Sequence, residues 1–195
     1  LFYKYGGETD QMTPLFDEYI NPLKNSINMY FVPGNHDYYV SGSRWPYIHR
    51  PALQYVRNHH KLPLNFWPDI GDTVYSFDLK GDNGELIHFC ACDIYPSAKV
   101  LKWLKNDLKN NKDKKIVLFH HYNMSGSFSN WWKNEEKDNY YNLIKDFNVI
   151  LILEGHSHNN SVYKYKDIPV VRAAGAGFMV VTIDDNGSID AENIR

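Results

Sequence analysis

The sequence predicts an α/β fold in a single domain, and three observations carry that prediction. Short apolar runs alternate with amphipathic helical stretches along the chain. Each run is only a handful of residues long and is bounded by Gly, Pro, Asn or Asp, as buried strands are. Three of the runs pass directly into histidine-bearing loops, where strands of an open α/β sheet present their carboxyl ends to a ligand.

Taken in order, Thr13 and Pro14 can cap and start a helix running to Leu23, with Leu15, Phe16, Tyr19 and Ile20 on its apolar face. Ile27 to Val32 is a buried strand that ends at Pro33-Gly34. Trp45 to His60 is helical in pattern though interrupted by Pro46 and Pro51, and Leu62 to Gly71 is a proline-rich loop. Thr73 to Leu79 and Leu86 to Asp93 are strands joined by Gly81-Asp82-Asn83-Gly84, which makes a hairpin. Ser97 can cap a helix that carries Val100, Leu101, Leu104 and Leu108 at helical spacing. Ile116 to Phe119 is a strand, His120 to Trp132 a loop, and Glu135 to Phe147 a helix. Val149 to Leu153 is the next strand, followed by Val162 to Tyr165, Val170 to Ala173 and Phe178 to Ile183, with a last turn at Asp185-Asn186-Gly187.

Of the 195 residues, 43% are hydrophobic and 15% aromatic, enough for a substantial core. The net charge of −2, with Lys and Arg scattered among Asp and Glu, gives no strong nucleic-acid signal, and no apolar run is long enough for a membrane span. Affinity for an anion must therefore come from a local site. Leu1 has no leader-like sequence around it and reads as an interior position. Cys90 and Cys92 lie on one face of one strand, too poorly placed to bond each other, and read as reduced core thiols.

The chemistry-bearing residues are Gly34-Asn35-His36-Asp37, His120-His121 and Gly155-His156-Ser157-His158. Five of the nine histidines fall in these three loops. The others, His49, His59, His60 and His88, read as surface or structural. Imidazole and amide oxygen suit zinc, iron, manganese or nickel, and a cluster drawn from several loops fits a catalytic site better than a closed structural one. If Gly155 to His158 is extended, His156 and His158 project the same way and could serve two metals.

These residues resemble the calcineurin-like metallophosphoesterase superfamily. Val32 to Asp37 looks like its G-N-H-[D/E] block, Ile116 to Tyr122 like its strand-then-histidine block, and Gly155 to His158 like its G-H-x-H block, in the family's order. The family's D-x-H and G-D-x-x-D blocks are nowhere in the sequence, so the resemblance implies that residues 1–195 are the C-terminal portion of a single metallophosphoesterase domain. It implies two mixed β-sheets packed face to face with flanking helices, seen here without the N-terminal strands. It also implies two divalent or trivalent transition-metal ions that activate a hydroxide to hydrolyse a phosphate mono- or diester, the substrate being a phosphorylated small molecule or other phosphoester. Asn35, His120 and His156 would bind one metal and His158 the other, with the remaining ligands upstream. His36 would act on the phosphoryl group and protonate the leaving oxygen.

The choice between His120 and His121 stays open, with His120 at the family position and His121 able to orient substrate. Asp37, Tyr122 and Asn123 are further candidates for touching substrate or orienting a ligand, although Tyr122, Trp131 and Trp132 could equally be ordinary packing. The alternative to an enzyme is a non-catalytic member of the same fold that binds a protein. On its own, the segment from Leu1 is expected to be inactive.

Overall fold

In the computed structural model, residues 27–35, 39–40, 43–44, 65–66, 73–174 and 178–194 are described. The helices expected at Thr13 to Leu23 and Trp45 to His60 lie outside these residues, as do His36 and Asp37. Two short strands, β1 (Tyr39–Val40) and β2 (Ser43–Arg44), pair antiparallel. A third, β3 (Asn65–Phe66), interrupts the stretch read as a loop between Leu62 and Gly71 and pairs antiparallel with the strand that follows.

That strand, β4 (Val74–Lys80), forms the expected hairpin with β5 (Leu86–Cys92). Its turn closes on Gly84 at φ 86°, a backbone that glycine adopts without a Cβ penalty. Helix α1 (Ala98–Asn110) carries the chain across to β6 (Lys115–Phe119), parallel to β5. Helix α2 (Asn134–Ile144) does the same to β7 (Val149–Glu154), parallel to β6. The hairpin of β8 (Ser161–Tyr165) and β9 (Ile168–Arg172) then adds β9 parallel to β7, completing a seven-stranded sheet in the order β3-β4-β5-β6-β7-β9-β8. Strands β10 (Phe178–Ile183) and β11 (Ile189–Ile194) form a separate antiparallel pair, β11 being the strand that the Asp185-Asn186-Gly187 turn leads into.

Alternation of side chains sorts this sheet into two faces. On one, Val100, Leu104 and Leu108 of α1 and Tyr140 and Ile144 of α2 pack on Cys90, Cys92, Ile116, Leu118 and Ile152. All of these are fully buried, each stabilising the fold by about 1.5–3 kcal/mol for a large aliphatic side chain. On the other, Met179, Val181 and Ile183 of the small sheet meet Val117, Leu151 and Val171. The architecture is therefore two sheets face to face with helices outside the larger one, as the resemblance implies. Cys90 and Cys92 are buried and unbridged.

The run Ile27 to Val32 is the exception, because no strand pairs with it among the described residues. Its apolar character is explained instead by packing: Tyr30 stacks on Phe77 with ring centres 3.6 Å apart, and Val32 joins the same cluster. The Phe31 peptide is held by a side chain, since its N–H donates to the Tyr75 hydroxyl at 2.7 Å and its carbonyl accepts from that hydroxyl at 2.7 Å.

His88 is structural. Its Nδ1 lies 2.7 Å from Asp78 and its Nε2 2.7 Å from Asp107, so both ring nitrogens donate and the ring is cationic when both bonds form. Burial alone would lower its pKa, but the bonds to Asp107 and Asp78 outweigh it and the net shift is upward. Lys114 and Ser76 complete the network on Asp78 and Asp107.

Candidate metal centre

The carboxyl ends of the parallel strands β5, β6 and β7 meet the residues after Pro33, and there the chain gathers Asn35, His121 and His156. Alternation along β6 decides which histidine arrives. Ile116 and Leu118 point to the helix face and Val117 and Phe119 to the small-sheet face. His120 continues the first series and His121 the second.

His121 is fixed from three sides. Its N–H donates to the Ile94 carbonyl at 2.9 Å and its own carbonyl accepts from Gly155 N–H at 3.1 Å. Its ring lies flat against Gly34, where a Cβ would fall 2.9 Å from Cε1. Glycine at position 34 is thus explained by close approach of the imidazole. The buried Asn35 places Oδ1 2.9 Å from His121 Nε2, and His156 places Nδ1 3.2 Å from the same atom. Two ligands about 2.1 Å from one ion and about 90–109° apart lie about 3.0–3.4 Å from each other. The two separations from His121 Nε2, 2.9 and 3.2 Å, fall in that range, and one amide oxygen with two imidazole nitrogens is a donor set suited to a transition-metal ion.

His120, favoured from the sequence, is not brought to this cluster. It is buried among Trp132 and Tyr140, with ring centres 5.3 and 5.7 Å away, and neither ring nitrogen has a hydrogen-bond partner among the described residues. Burial pushes its pKa down to about 4, with the Tyr122 backbone opposing.

Gly155 to His158 is not extended. His156 and His158 both take left-handed backbones, at φ 70° and 53°, an uncommon state for residues with a Cβ that recurs at functional sites. His158 is exposed, while His156 turns inward against Tyr122, Trp131 and Phe128, at 4.8, 5.2 and 6.0 Å between ring centres. Tyr122 is buried and stacks on Tyr95, and Trp132 is wholly buried, so both are packing residues. Asn123 is also buried, and its amide donates to the carbonyls of Ser125 and Ser127 at 2.7 and 2.9 Å, bracing the loop.

No pattern in the sequence singles out the residues that hold this loop over β7. Glu154, the last residue of β7, accepts the Met124 N–H at 2.8 Å and the Tyr163 hydroxyl at 2.7 Å. Arg172 reaches the same carboxylate through Nε at 2.7 Å and donates from Nη2 to the Ser125 carbonyl at 2.7 Å. Both residues are buried, and burial raises the Glu154 pKa against the opposing Met124, Tyr163 and Arg172 contacts. A second set of metal-capable atoms among the described residues, on His88, Cys90 and Asp107, lies within the hydrogen-bond network described above.

A mixed sheet backed by helices on one face and a small sheet on the other thus carries an amide and two imidazoles at the strand ends, side chains of the kinds that can hold a metal ion. Residues 3–160 match the model of the calcineurin-like phosphoesterase family, and the chain belongs to that family. Its fold is similar to that of a dimetal phosphatase from Danio rerio, at TM-score 0.58 and 14% identity over 85% of this chain and 67% of that one. It is equally similar to TT1561 of Thermus thermophilus, at TM-score 0.58 and 14% identity over 100% of this chain and 84% of that one. No protein of curated function matches the sequence.

Proposed function

We propose that the protein hydrolyses a phosphate mono- or diester at a binuclear metal centre of which Asn35, His121 and His156 form one half. Membership of the calcineurin-like phosphoesterase family supports phosphoester hydrolysis in general, and a solved relative of the same fold is described as a dimetal phosphatase. The observation that carries the finer reading is the convergence of Asn35 Oδ1 and His156 Nδ1 on His121 Nε2, at 2.9 and 3.2 Å.

In this reading Asn35, His121 and His156 hold one ion, and exposed His158 contributes to a second whose other ligands come from D-x-H and G-D-x-x-D segments absent from residues 1–195. When bound, such ions lower the pKa of a water and offset charge on the phosphoryl oxygens. The chain's own residues orient and protonate. The Glu154–Arg172 pair fixes the loop beside His156, and His36 delivers a proton to the leaving oxygen.

The test is metal content and aryl-phosphate hydrolysis, measured on residues 1–195 alone and on a chain that also carries the two upstream segments. The longer chain is expected to bind two ions and turn over, and the segment alone to bind at most one ion and be inactive. Two bound ions with robust turnover in the segment alone would overturn the ligand assignment. Two ions without turnover in the longer chain would favour a non-catalytic, protein-binding role.

A further inference from the structure

We propose that Phe128 and Trp131 form a stacking surface beside the candidate metal centre that selects phosphoesters whose organic part carries a flat aromatic ring. The proposal rests on the hydrolytic reading above and names the substrate class for the same site.

Three aromatic rings pack against His156 on this side, and they divide sharply by exposure. Tyr122 is 9% exposed, whereas Phe128 is 56% and Trp131 50% exposed. The two exposed rings stand edge-on to His156, at interplanar angles of 71° and 68°. Two large apolar side chains left in water against the same imidazole offer a contact surface to an apolar ligand group.

Phe128 is held there at a conformational cost. Its backbone is left-handed, at φ 63° and ψ 5°, a region that bulky residues avoid. The surrounding loop imposes it through bonds spaced along its length. Arg172 holds the Ser125 carbonyl at 2.7 Å, Ser157 Oγ holds that of Ser127 at 2.7 Å, and Lys137 Nζ holds that of Ser129 at 2.6 Å. Asn123, with no exposed surface, ties Ser125 to Ser127 from within. The Trp131 backbone is held by its own N–H, which donates to the Phe128 carbonyl at 3.2 Å. A loop backbone ordered before the ligand arrives loses less entropy on binding it. The π faces and edges of the two rings recognise a flat ring, while an aliphatic or sugar group gains only nonspecific contact.

Adenosine 5′-monophosphate and ribose 5-phosphate share the same reacting ester and differ by the base, so comparing them isolates the platform. In the full-length protein the nucleotide is expected to be favoured in kcat/KM by roughly 5- to 150-fold, the range for a base stacked on an aromatic side chain, and mostly through KM. The double variant Phe128→Ala/Trp131→Ala should bring that ratio close to one. Phe128→Tyr/Trp131→Phe, which keeps a ring at each position, should retain it. Equal kcat/KM for the two esters in the unaltered protein, or a preference that survives the double alanine variant, overturns the platform and leaves the hydrolytic reading standing. If neither ester is hydrolysed, that result counts against the hydrolytic reading, and the platform is judged on binding alone, by calorimetric titration. Tighter binding of the nucleotide that Trp131→Ala abolishes supports it, and equal binding of the two compounds overturns it.

Discussion

Gly34→Ala places a single methyl group against the candidate metal centre, and the structure sets the size of its effect. Gly34 needs no left-handed backbone, so alanine fits the chain path. The added Cβ falls 2.9 Å from Cε1, 3.1 Å from Nδ1 and 3.2 Å from Nε2 of His121. Carbon atoms in ordinary contact sit about 3.5–4.0 Å apart, so the ring must recede by roughly 0.6 Å or more. Metal–ligand distances hold to within about 0.2 Å, and this displacement exceeds that tolerance threefold. Because the obstructing atoms belong to a side chain and not to the backbone, the fold can yield at the expense of the site. Overpacking costs about 1–3 kcal/mol, partly offset by the about 0.4–1 kcal/mol that alanine gains over glycine in the unfolded chain. The net loss of stability should be about 0–2.6 kcal/mol. Metal affinity should fall by about 10- to 100-fold, the scale seen when groups orienting a ligand are disturbed. Calorimetric titration with Zn²⁺ and denaturant unfolding measure the two effects. In Gly34→Ala/His121→Ala the clash is gone, so the stability changes should be non-additive. Unaltered zinc affinity in Gly34→Ala would refute the placement of His121.

The buried polar groups and His36 set four further outcomes. His88→Ala leaves Asp107 buried without its cation and should cost about 3–5 kcal/mol in denaturant unfolding, since one partner of a buried pair has been removed. The pair also sets a pH dependence. The His88 pKa is raised, so its contribution is fully present below its ordinary value of 6.5 and is lost as pH rises through the folded value. The Asp107 pKa is lowered, hydrogen bonds from His88 and Ser76 outweighing a burial that alone would raise it, so its contribution is lost as pH falls below 3.8. Stability profiles should therefore decline above pH 6.5 in the unaltered protein, and this component of the decline should vanish in His88→Ala. Arg172→Met should destabilise by about 3–5 kcal/mol and shift Trp131 fluorescence, while adding Glu154→Gln should recover part of the loss. His36→Ala should keep its metal and lose kcat, most steeply for esters with poor leaving groups, and metal loss would show that it is a ligand.

Much of this fold could be read from periodicity, because β4 to β7 and helix α1 carry strong apolar patterns. The exceptions have physical causes. Residues Ile27 to Val32 are apolar because they pack on Phe77, and a buried packing segment has the same composition as a buried strand. Strand β11 carries Asp190, Glu192 and Asn193 and buries little, so its pattern is weak. The pairing of β3 with β4 depends on a partner strand and leaves no local mark over two residues. Within the site, alternation along Ile116 to Phe119 separates His120 from His121 on opposite faces, but does not say which face holds the centre. That is decided by Asn35, 86 residues earlier in the chain. The left-handed turns at His156 and His158 are likewise tertiary, imposed against the preference of residues with a Cβ. Glu154 and Arg172 are isolated charges in the sequence and become a pair only when β7 and β9 align in register.

The central claim is that His121, and not His120, completes the centre with Asn35 and His156, and metal stoichiometry in two variants of the full-length protein tests it most directly. His121→Ala should lose one ion per chain. His120→Leu should keep the full complement and be at least as stable as the unaltered protein, because it removes a buried imidazole that has no hydrogen-bond partner among the described residues. Loss of an ion in His120→Leu, with the full complement retained in His121→Ala, would contradict the account.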